Sequence, residues 1–505
     1  MNSRQAMAFC CQSWVRSYYV VSPHTLCGNM KGKAMDMTDY VSTRDPKAMR
    51  RQFTDILLEG LAPDGGLYVP TAVPHFGPEN LESMRGLSYA DLACFILWYF
   101  ATDMNQKLLR EMCRTTYRST VFGSDDVAPL MQFQQDSYLL NLTLGPSLAF
   151  KDLALQMLGP LMEHVLGERK QCMNVVVATS GDTGPAAIEG LRGKKGIRVF
   201  VLFPKDGTSD FQRRQMSTVA GEDVYALAIS GAFDDCQAIM KEINADAPFK
   251  ELHHIGGVNS TNFARIVLQI AYYFWAFFKA TQSDVQRVMF AVPTGNFGDI
   301  YAGYLARQMG LPIEKLILAS NENDVLPIFF NTREYRPRPA MPTSSPSMDI
   351  NQASNFERLA YDLLDQRPKV VGALWRRLRE EGAFTLPGPY LAQKILETGI
   401  VAGSSNHVQR IGMIRLMRDQ CSIVVDPHTA AGLVVGLSYR QLGVPLICLA
   451  TAAPAKFAST IREALGTDPE IPKQFAELAD REEHFVEFSV DTEAVKRYIA
   501  AHALR

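Results

Sequence analysis

Lys151 lies in Gly145-Pro146-Ser147-Leu148-Ala149-Phe150-Lys151-Asp152, an apolar stretch entered through turn-forming residues. A lysine amine forms a Schiff base only while deprotonated, and neighbours such as Leu148 and Phe150 lower its pKa by desolvation. Asp152 is expected to orient the backbone turn rather than the lysine.

Two glycine-rich stretches follow apolar runs and precede helical patterns. The first is Val175-Val176-Val177-Ala178, then Thr179-Ser180-Gly181-Asp182-Thr183-Gly184, then Pro185-Ala186-Ala187-Ile188. The second is Met289-Phe290-Ala291-Val292, then Pro293-Thr294-Gly295-Asn296-Phe297-Gly298-Asp299, then Ile300-Tyr301-Ala302. Strand, glycine turn and helix together make an anion site, because the first N–H groups of a helix lack internal partners and its dipole is positive there. A side chain at Gly295 or Gly298 is expected to obstruct close approach of a phosphate.

A Schiff-base lysine with two anion cradles suits an amino acid bound to pyridoxal phosphate, one cradle for the substrate carboxylate and one for the cofactor phosphate. Neither loop ends in Gly-Lys-Ser/Thr, and neither turn carries Gly-x-Gly-x-x-Gly, which argues against a nucleotide or dinucleotide site.

In order along the chain, these stretches are joined by Val258-Asn259-Ser260-Thr261-Asn262-Phe263-Ala264-Arg265, Ser345-Pro346-Ser347-Met348-Asp349-Ile350, Asn355-Phe356-Glu357-Arg358, Asp426-Pro427-His428-Thr429-Ala430 and Thr451-Ala452-Ala453-Pro454-Ala455-Lys456-Phe457. With Tyr40-Val41-Ser42-Thr43-Arg44 and Gly60 to Pro70 near the N-terminus, the series resembles the threonine synthases of the longer, bacterial and fungal kind. The resemblance runs from about Tyr40 to the C-terminal region.

What it implies is a fold type II pyridoxal phosphate enzyme, similar to the tryptophan synthase β chain, with mainly parallel sheets in two interleaved catalytic domains after an N-terminal helical region. Lys151 is then the catalytic lysine that carries the cofactor, and Gly295, Asn296, Phe297, Gly298 and Asp299 hold its phosphate. Ser180, Gly181, Asp182 and Thr183 face the substrate carboxylate, and Thr451 meets the pyridine nitrogen. A hydroxyl there makes the ring a milder electron sink than a carboxylate would. The implied activity is a carbon–oxygen lyase of threonine biosynthesis, converting O-phosphohomoserine and water to threonine and phosphate.

The chain departs from the pattern at three positions. Leu144 stands where many relatives have histidine, Ser147 replaces a threonine, and Ala453 replaces the histidine of Thr-Ala-His-Pro. Two missing histidines bear on how a phosphate leaving group is bound. Either they are replaceable, or the chain is a divergent paralogue acting by elimination or replacement on another β- or γ-activated amino acid. A reading from another class, a pyridoxal phosphate-binding protein without turnover, conflicts with retention of Lys151 and both glycine loops. His428 is read as shaping its loop, and Arg265 and Lys205 as candidates for a substrate anion.

The elements that must position these residues read as α/β. Apolar runs at Val175–Ala178, Val199–Phe203, Val288–Val292, Leu316–Ala319, Ile423–Val425 and Leu446–Ala450 alternate with helical patterns, which specifies mainly parallel sheets. Residues 37–120 read as mostly helical, with Leu92, Phe95, Ile96 and Tyr99 recurring at helical spacing. The catalytic region spans 121–505, with an interleaved smaller unit around 172–285 and a proline-rich loop from Tyr335 to Pro342. Residues 1–36 are read as an extension outside the core. They carry four basic residues and no acid before Asp36, the mark of an organellar leader or of a start placed too far upstream; a cytoplasmic location is the favoured expectation.

At 505 residues, 47% hydrophobic and 21% charged, the composition is that of a globular enzyme, and a net charge of −2 excludes nucleic acid or an anionic membrane as an expected partner. A small amino acid is the expected ligand; oligomeric state is not encoded legibly. No apolar stretch approaches the ~20 residues of a membrane span. Nine scattered cysteines without a CxxC or Cys/His cluster point to a reducing compartment and no metal, with Cys172 and Cys448 as buried packing residues.

Overall fold

Valine-rich and alanine-rich runs bounded by glycine turns form two parallel sheets, each lined on both faces by helices, as continuous apolar strands require. The structure, a computed structural model, describes residues 17–20, 38–219, 221 and 223–505.

The large sheet has six strands in the order Ile400–Ser404, Ile313–Ser320, Val288–Pro293, Leu446–Ala450, Ser137–Asn141, Leu130–Gln134. Its neighbours are parallel except for the last pair, which is antiparallel. The small sheet has five parallel strands, Ile255–Gly256, Met173–Ala178, Ile197–Pro204, Val224–Ile229 and Val486–Phe488.

Near the N-terminus, Leu92, Phe95, Ile96 and Tyr99 are all buried in the helix Tyr89–Phe100. The helix Phe263–Ala280 has sixteen buried residues and packs against Tyr89–Phe100, Asp152–Arg169 and Gly298–Gln308. Among the described residues no helix is long and apolar enough to cross a membrane.

Four sequence expectations need correction. Ile423–Val425 forms no strand; it is the extended link between the helices His407–Cys421 and Pro427–Ser438, and Asp426 caps the second of these. Its apolar side chains pack on the large-sheet cluster without entering the ladder. The smaller unit reaches beyond 172–285, because Val486–Phe488 returns as its fifth strand, whereas Phe263–Ala280 packs with the large-sheet helices. From the leader, Ser17–Val20 runs parallel to Ala72–His75, and the rest of 1–36 lies outside the described residues. Cys448 is buried as expected, but Cys172 is only half-buried.

Helix Asp152–Arg169, which follows Lys151, crosses helix Thr183–Leu191, which follows Asp182, at a glycine contact. A Cβ on Gly159 would lie 2.0 Å from the Gly190 carbonyl oxygen, and one on Gly190 would lie 2.4 Å from that of Leu155. Only two glycines permit this approach. The crossing brings two helix N-termini, one from each sheet's system, to a common cleft.

Candidate active site

Lys151 ends the turn that precedes its helix, and its backbone is fixed from both sides. Leu148 adopts a left-handed φ of 62°, and Ala453 N–H donates to its carbonyl oxygen at 3.0 Å. Phe150 N–H donates to the Thr451 carbonyl oxygen at 2.9 Å, so the lysine turn and the end of strand Leu446–Ala450 are stitched together. Lys151 is 9% exposed, with its Nζ 5.2 Å from the centre of the Phe150 ring. Burial lowers its pKa below the ordinary lysine value, opposed by Asp182 and assisted by the charges of Lys456 and Arg265.

Asp152 is fully buried and accepts a hydrogen bond from Ser147 N–H at 2.8 Å through Oδ2, while its Oδ1 has no partner among the described residues. Burial pushes its carboxyl up to about 6. It orients the turn, and the absence of a side chain on Gly145 makes room for it, since a Cβ there would meet Asp152 Oδ2 at 2.4 Å.

The first glycine loop leaves strand Met173–Ala178 and enters helix Thr183–Leu191. Thr179 Oγ1 accepts from Gly181 N–H at 2.9 Å and Gly184 N–H at 3.1 Å, which sets the loop's curl. Gly181 has a φ of 142°, and a Cβ on it would meet Gln212 Oε1 at 2.4 Å. The Asp182 carboxylate faces Lys151 Nζ at 3.3 Å and Lys456 Nζ at 3.0 Å, and accepts from Ser347 Oγ at 2.7 Å and Gln212 Nε2 at 3.0 Å. These partners outweigh its desolvation and hold it well below the usual carboxylate range.

The second glycine loop leaves strand Val288–Pro293 and enters helix Gly298–Gln308. Phe297 at its turn has a left-handed φ of 66°. The Asn296 carbonyl oxygen accepts from Asn355 N–H at 3.1 Å and Asn355 Nδ2 at 3.0 Å, and Asn296 Oδ1 accepts from Ser354 Oγ at 3.1 Å. Asn355 is in turn bound by Arg358, whose Nε donates to the Tyr68 carbonyl oxygen at 2.9 Å. Arg44 and Thr43 grip the adjacent Glu357, with Arg44 Nη2 at 2.6 Å, so the N-terminal signature braces this loop.

A Cβ on Gly295 would meet the Ser347 carbonyl oxygen at 2.6 Å, whereas one on Gly298 would meet nothing nearer than Asn355 Nδ2 at 3.3 Å. The close approach is therefore at Gly295. Asp299 sends its carboxylate away from the loop, into the core, where Oδ1 accepts from Tyr272 Oη at 2.5 Å and Tyr273 Oη at 2.7 Å. Of the five residues expected to hold a phosphate, Asp299 thus offers backbone only.

His428 begins helix Pro427–Ser438 and is buried. Its Nδ1 pairs with Asp426 Oδ1 at 2.7 Å, and its Nε2 accepts from Ser347 N–H at 3.1 Å, so it holds the Ser345–Asp349 loop over the cleft. Thr451 is buried at the end of its strand, with its N–H donating to Thr429 Oγ1 at 3.2 Å. Lys205 is not in the site; it pairs with Glu487 at 2.7 Å on the small sheet's surface side. Arg265 is 3% exposed, donates from Nη1 to the Val258 carbonyl oxygen at 2.9 Å, and has no partner for Nε among the described residues. Burial lowers its pKa to about 10.

Sequence reading missed Lys456, Ser347 and Gln212 as members of the site. Lys456 and Ser347 lay within noted motifs, but nothing in their spacing shows that both turn to Asp182. Gln212 lies in the helix Asp210–Ser217, whose hydrogen-bonded capping box was the one local signal there.

Residues 39–117 match the family model described as threonine synthase N terminus, 128–373 that of pyridoxal-phosphate dependent enzymes, and 429–499 that of threonine synthase, C-terminal. The chain is 44% identical over 473 residues to the threonine synthase of Methylobacillus glycogenes, covering 92% of this chain and 99% of that one. A crystal structure of pyridoxal phosphate-bound threonine synthase from Brucella melitensis superposes with a TM-score of 0.88 at 39% identity, over 93% of this chain and all of that chain. The yeast threonine synthase structure gives a TM-score of 0.86 at 35% identity, over 92% and 98% of the two chains.

Proposed function

The chain belongs to the threonine synthase family, pyridoxal phosphate-dependent lyases of fold type II, and from that premise we propose that Lys151 holds the cofactor and moves the protons of the threonine synthase reaction. The reaction takes O-phosphohomoserine and water to threonine and phosphate. Pyridoxal phosphate, when bound, supplies an electron sink for charge developing beside the substrate amine.

The residues present fit that cofactor. Lys151 is a buried amine with a lowered pKa, and the second glycine loop, packed by Gly295 against the Ser347 backbone, leads into the N-terminus of helix Gly298–Gln308, whose first N–H groups suit a phosphate. Lys151 takes the proton from the substrate Cα and returns one along the chain, a task suited to an amine that is neutral for part of its time. The backbone of Ser180, Gly181, Asp182 and Thr183 receives the substrate carboxylate at the start of helix Thr183–Leu191. The Asp182 side chain does not share in this: it is itself an anion already engaged by Lys151 and Lys456. Gly295, Asn296, Phe297 and Gly298 hold the cofactor phosphate through backbone N–H groups, and the Thr451 hydroxyl meets the pyridine nitrogen.

Arg265 takes the substrate phosphate. Its charge is felt at Lys151 and its Nε has no partner among the described residues, so a positive group is available for a phosphate although Leu144 and Ala453 supply none.

The observation that carries this reading is Lys151 held 3.3 Å from Asp182 of the first glycine loop, with Ser347, which packs on Gly295 of the second, donating to the same carboxylate at 2.7 Å. The test is mass spectrometry of products formed from O-phosphohomoserine in heavy-oxygen water. Labelled threonine is expected from the parent and none from Lys151→Ala, with the borohydride-trapped cofactor mapping to Lys151. 2-Oxobutyrate without threonine, or an adduct on Lys456 or Lys205, would overturn the assignment.

A further inference from the structure

Lys456 is the most deeply buried amine of the site. Its side chain is fully buried within the short turn Pro454–Phe457, and its Nζ reaches Asp182 Oδ1 at 3.0 Å and the Ser147 carbonyl oxygen at 2.9 Å. Lys151 is the looser partner of the same carboxylate, at 3.3 Å and partly exposed. Asp182 comes from the small sheet's loop, while both lysines belong to turns beside the strand Leu446–Ala450 of the large sheet. One carboxylate thus joins two amines across the cleft.

A buried carboxylate whose single counter-ion becomes neutral is left uncompensated, which is strongly unfavourable. With Lys151 alone, every loss of its proton would strand Asp182. We propose that Lys456 is a positioning residue that keeps Asp182 compensated, so that Lys151 can give up its proton and act as a free amine while the cleft stays electrically closed. Its second bond, to Ser147, also anchors the turn that carries Lys151. The charged and titratable groups facing this cluster are Lys151, Lys456, Arg265, His428 and, beneath the turn, Asp152. The burial of Lys151 and the repulsion from Lys456 and Arg265 act in the same direction.

The inference rests on Lys151 being the cofactor lysine, but its test reads the Lys151 nitrogen itself and so fails separately from that assignment. In the full chain freed of cofactor, the reactivity of Lys151 toward trace acetic anhydride is followed against pH by peptide mass spectrometry. In Lys456→Met the midpoint for Lys151 is expected to rise by about one pH unit, roughly a tenfold loss of reactivity below it. Lys456→Arg should restore the parent midpoint, because the charge returns. Asp182→Asn should move the midpoint the opposite way, downward, a reversal of sign that a mere packing role does not give. An unchanged midpoint in Lys456→Met, or in Lys456→Gln where the apolar side chain prevents folding, overturns the proposal. So does a midpoint above the parent's in Asp182→Asn.

Discussion

Asp299 shows how one side chain can sit in a motif and serve another purpose. Its motif place suggested a role in the cradle, yet the side chain is a buried acceptor for Tyr272 and Tyr273, and burial pushes its carboxyl up to about 6. A carboxyl whose folded pKa is raised favours the protonated form. Its contribution to stability is therefore fully present below about pH 4 and is lost as pH rises through about 6, a difference on the order of 3 kcal/mol. In Asp299→Asn, whose Oδ1 can still accept from the tyrosines, the fall in stability between pH 5 and 7 should be shallower than in the parent. Asp152, raised to about 6 by its own burial, leaves part of that slope in place. Urea titrations of both proteins at pH 5 and 7 test this; identical slopes would mean that Asp299 is not the titrating group. At this scale the sequence was partly legible. Lys151 stood out because its neighbours are apolar, whereas Asp182 read as a carboxylate-site residue because a motif does not show that its side chain turns back to two lysines.

Among the elements, the crossing of helices Asp152–Arg169 and Thr183–Leu191 governs the distance between Lys151 and Asp182. Gly159→Ala would place a methyl against the Gly190 backbone oxygen, which cannot move aside as a side chain could. Overpacking of this kind costs about 1–3 kcal/mol, and here the helices must also part. The variant should lose stability and, at temperatures where it remains folded, kcat as well. A variant stable to within ~0.3 kcal/mol of the parent would show that the crossing is tolerant.

The second glycine loop makes a contrasting prediction. Gly295→Ala should weaken pyridoxal phosphate binding by tenfold or more, while Gly298→Ala changes it little, because only the first meets backbone at 2.6 Å. Fluorescence titration with the cofactor measures both, and equal affinities would disprove the distinction. Both glycines looked alike in sequence, since which of them faces the Ser347 carbonyl depends on a segment fifty residues away. Of the strands Val224–Ile229 and Leu446–Ala450, the apolar run of the second was read directly, while the first lies close behind helix Asp210–Ser217 and was passed over. Ile423–Val425 had the composition of a strand but lay between two helices with no room in the ladder.

Over the whole molecule, the chain closes its small sheet with its own end. Val495 and Ile499 of helix Thr492–His502 are fully buried in the cluster formed by Val176, Phe200, Leu227 and Ile229, and Asn174 exchanges hydrogen bonds with the backbone of Leu504. Ile499→Ala should cost about 2–5 kcal/mol by the loss of buried methyl and methylene groups. Hydrogen exchange should speed up across 173–256 while the large sheet stays protected; uniform loss of protection would mean that the two sheets unfold as one. The overall α/β class and the parallel sheets were legible from the alternation of apolar runs and helical patterns. The fifth small-sheet strand was not, because Val486–Phe488 is three residues long, mostly exposed, and separated from its partner by more than half the chain.

That returning strand has a consequence for how the protein comes into being. Domains generally form in order of synthesis, the earlier residues first, yet here the sheet that carries Ser180 to Thr183 waits for Val486–Phe488, made after every strand of the large sheet. A growing chain that has not yet delivered Val486–Phe488 holds only four of its strands, so Asp182 stands on an unfinished support even after the large sheet is complete. Catalytic competence then comes after the large sheet has formed, not with it. Stalled chains ending before and after residue 505 by a flexible tether measure this: cofactor should load only on the longer one, and loading on chains that stop at 485 would show that the small sheet matures without its final strand.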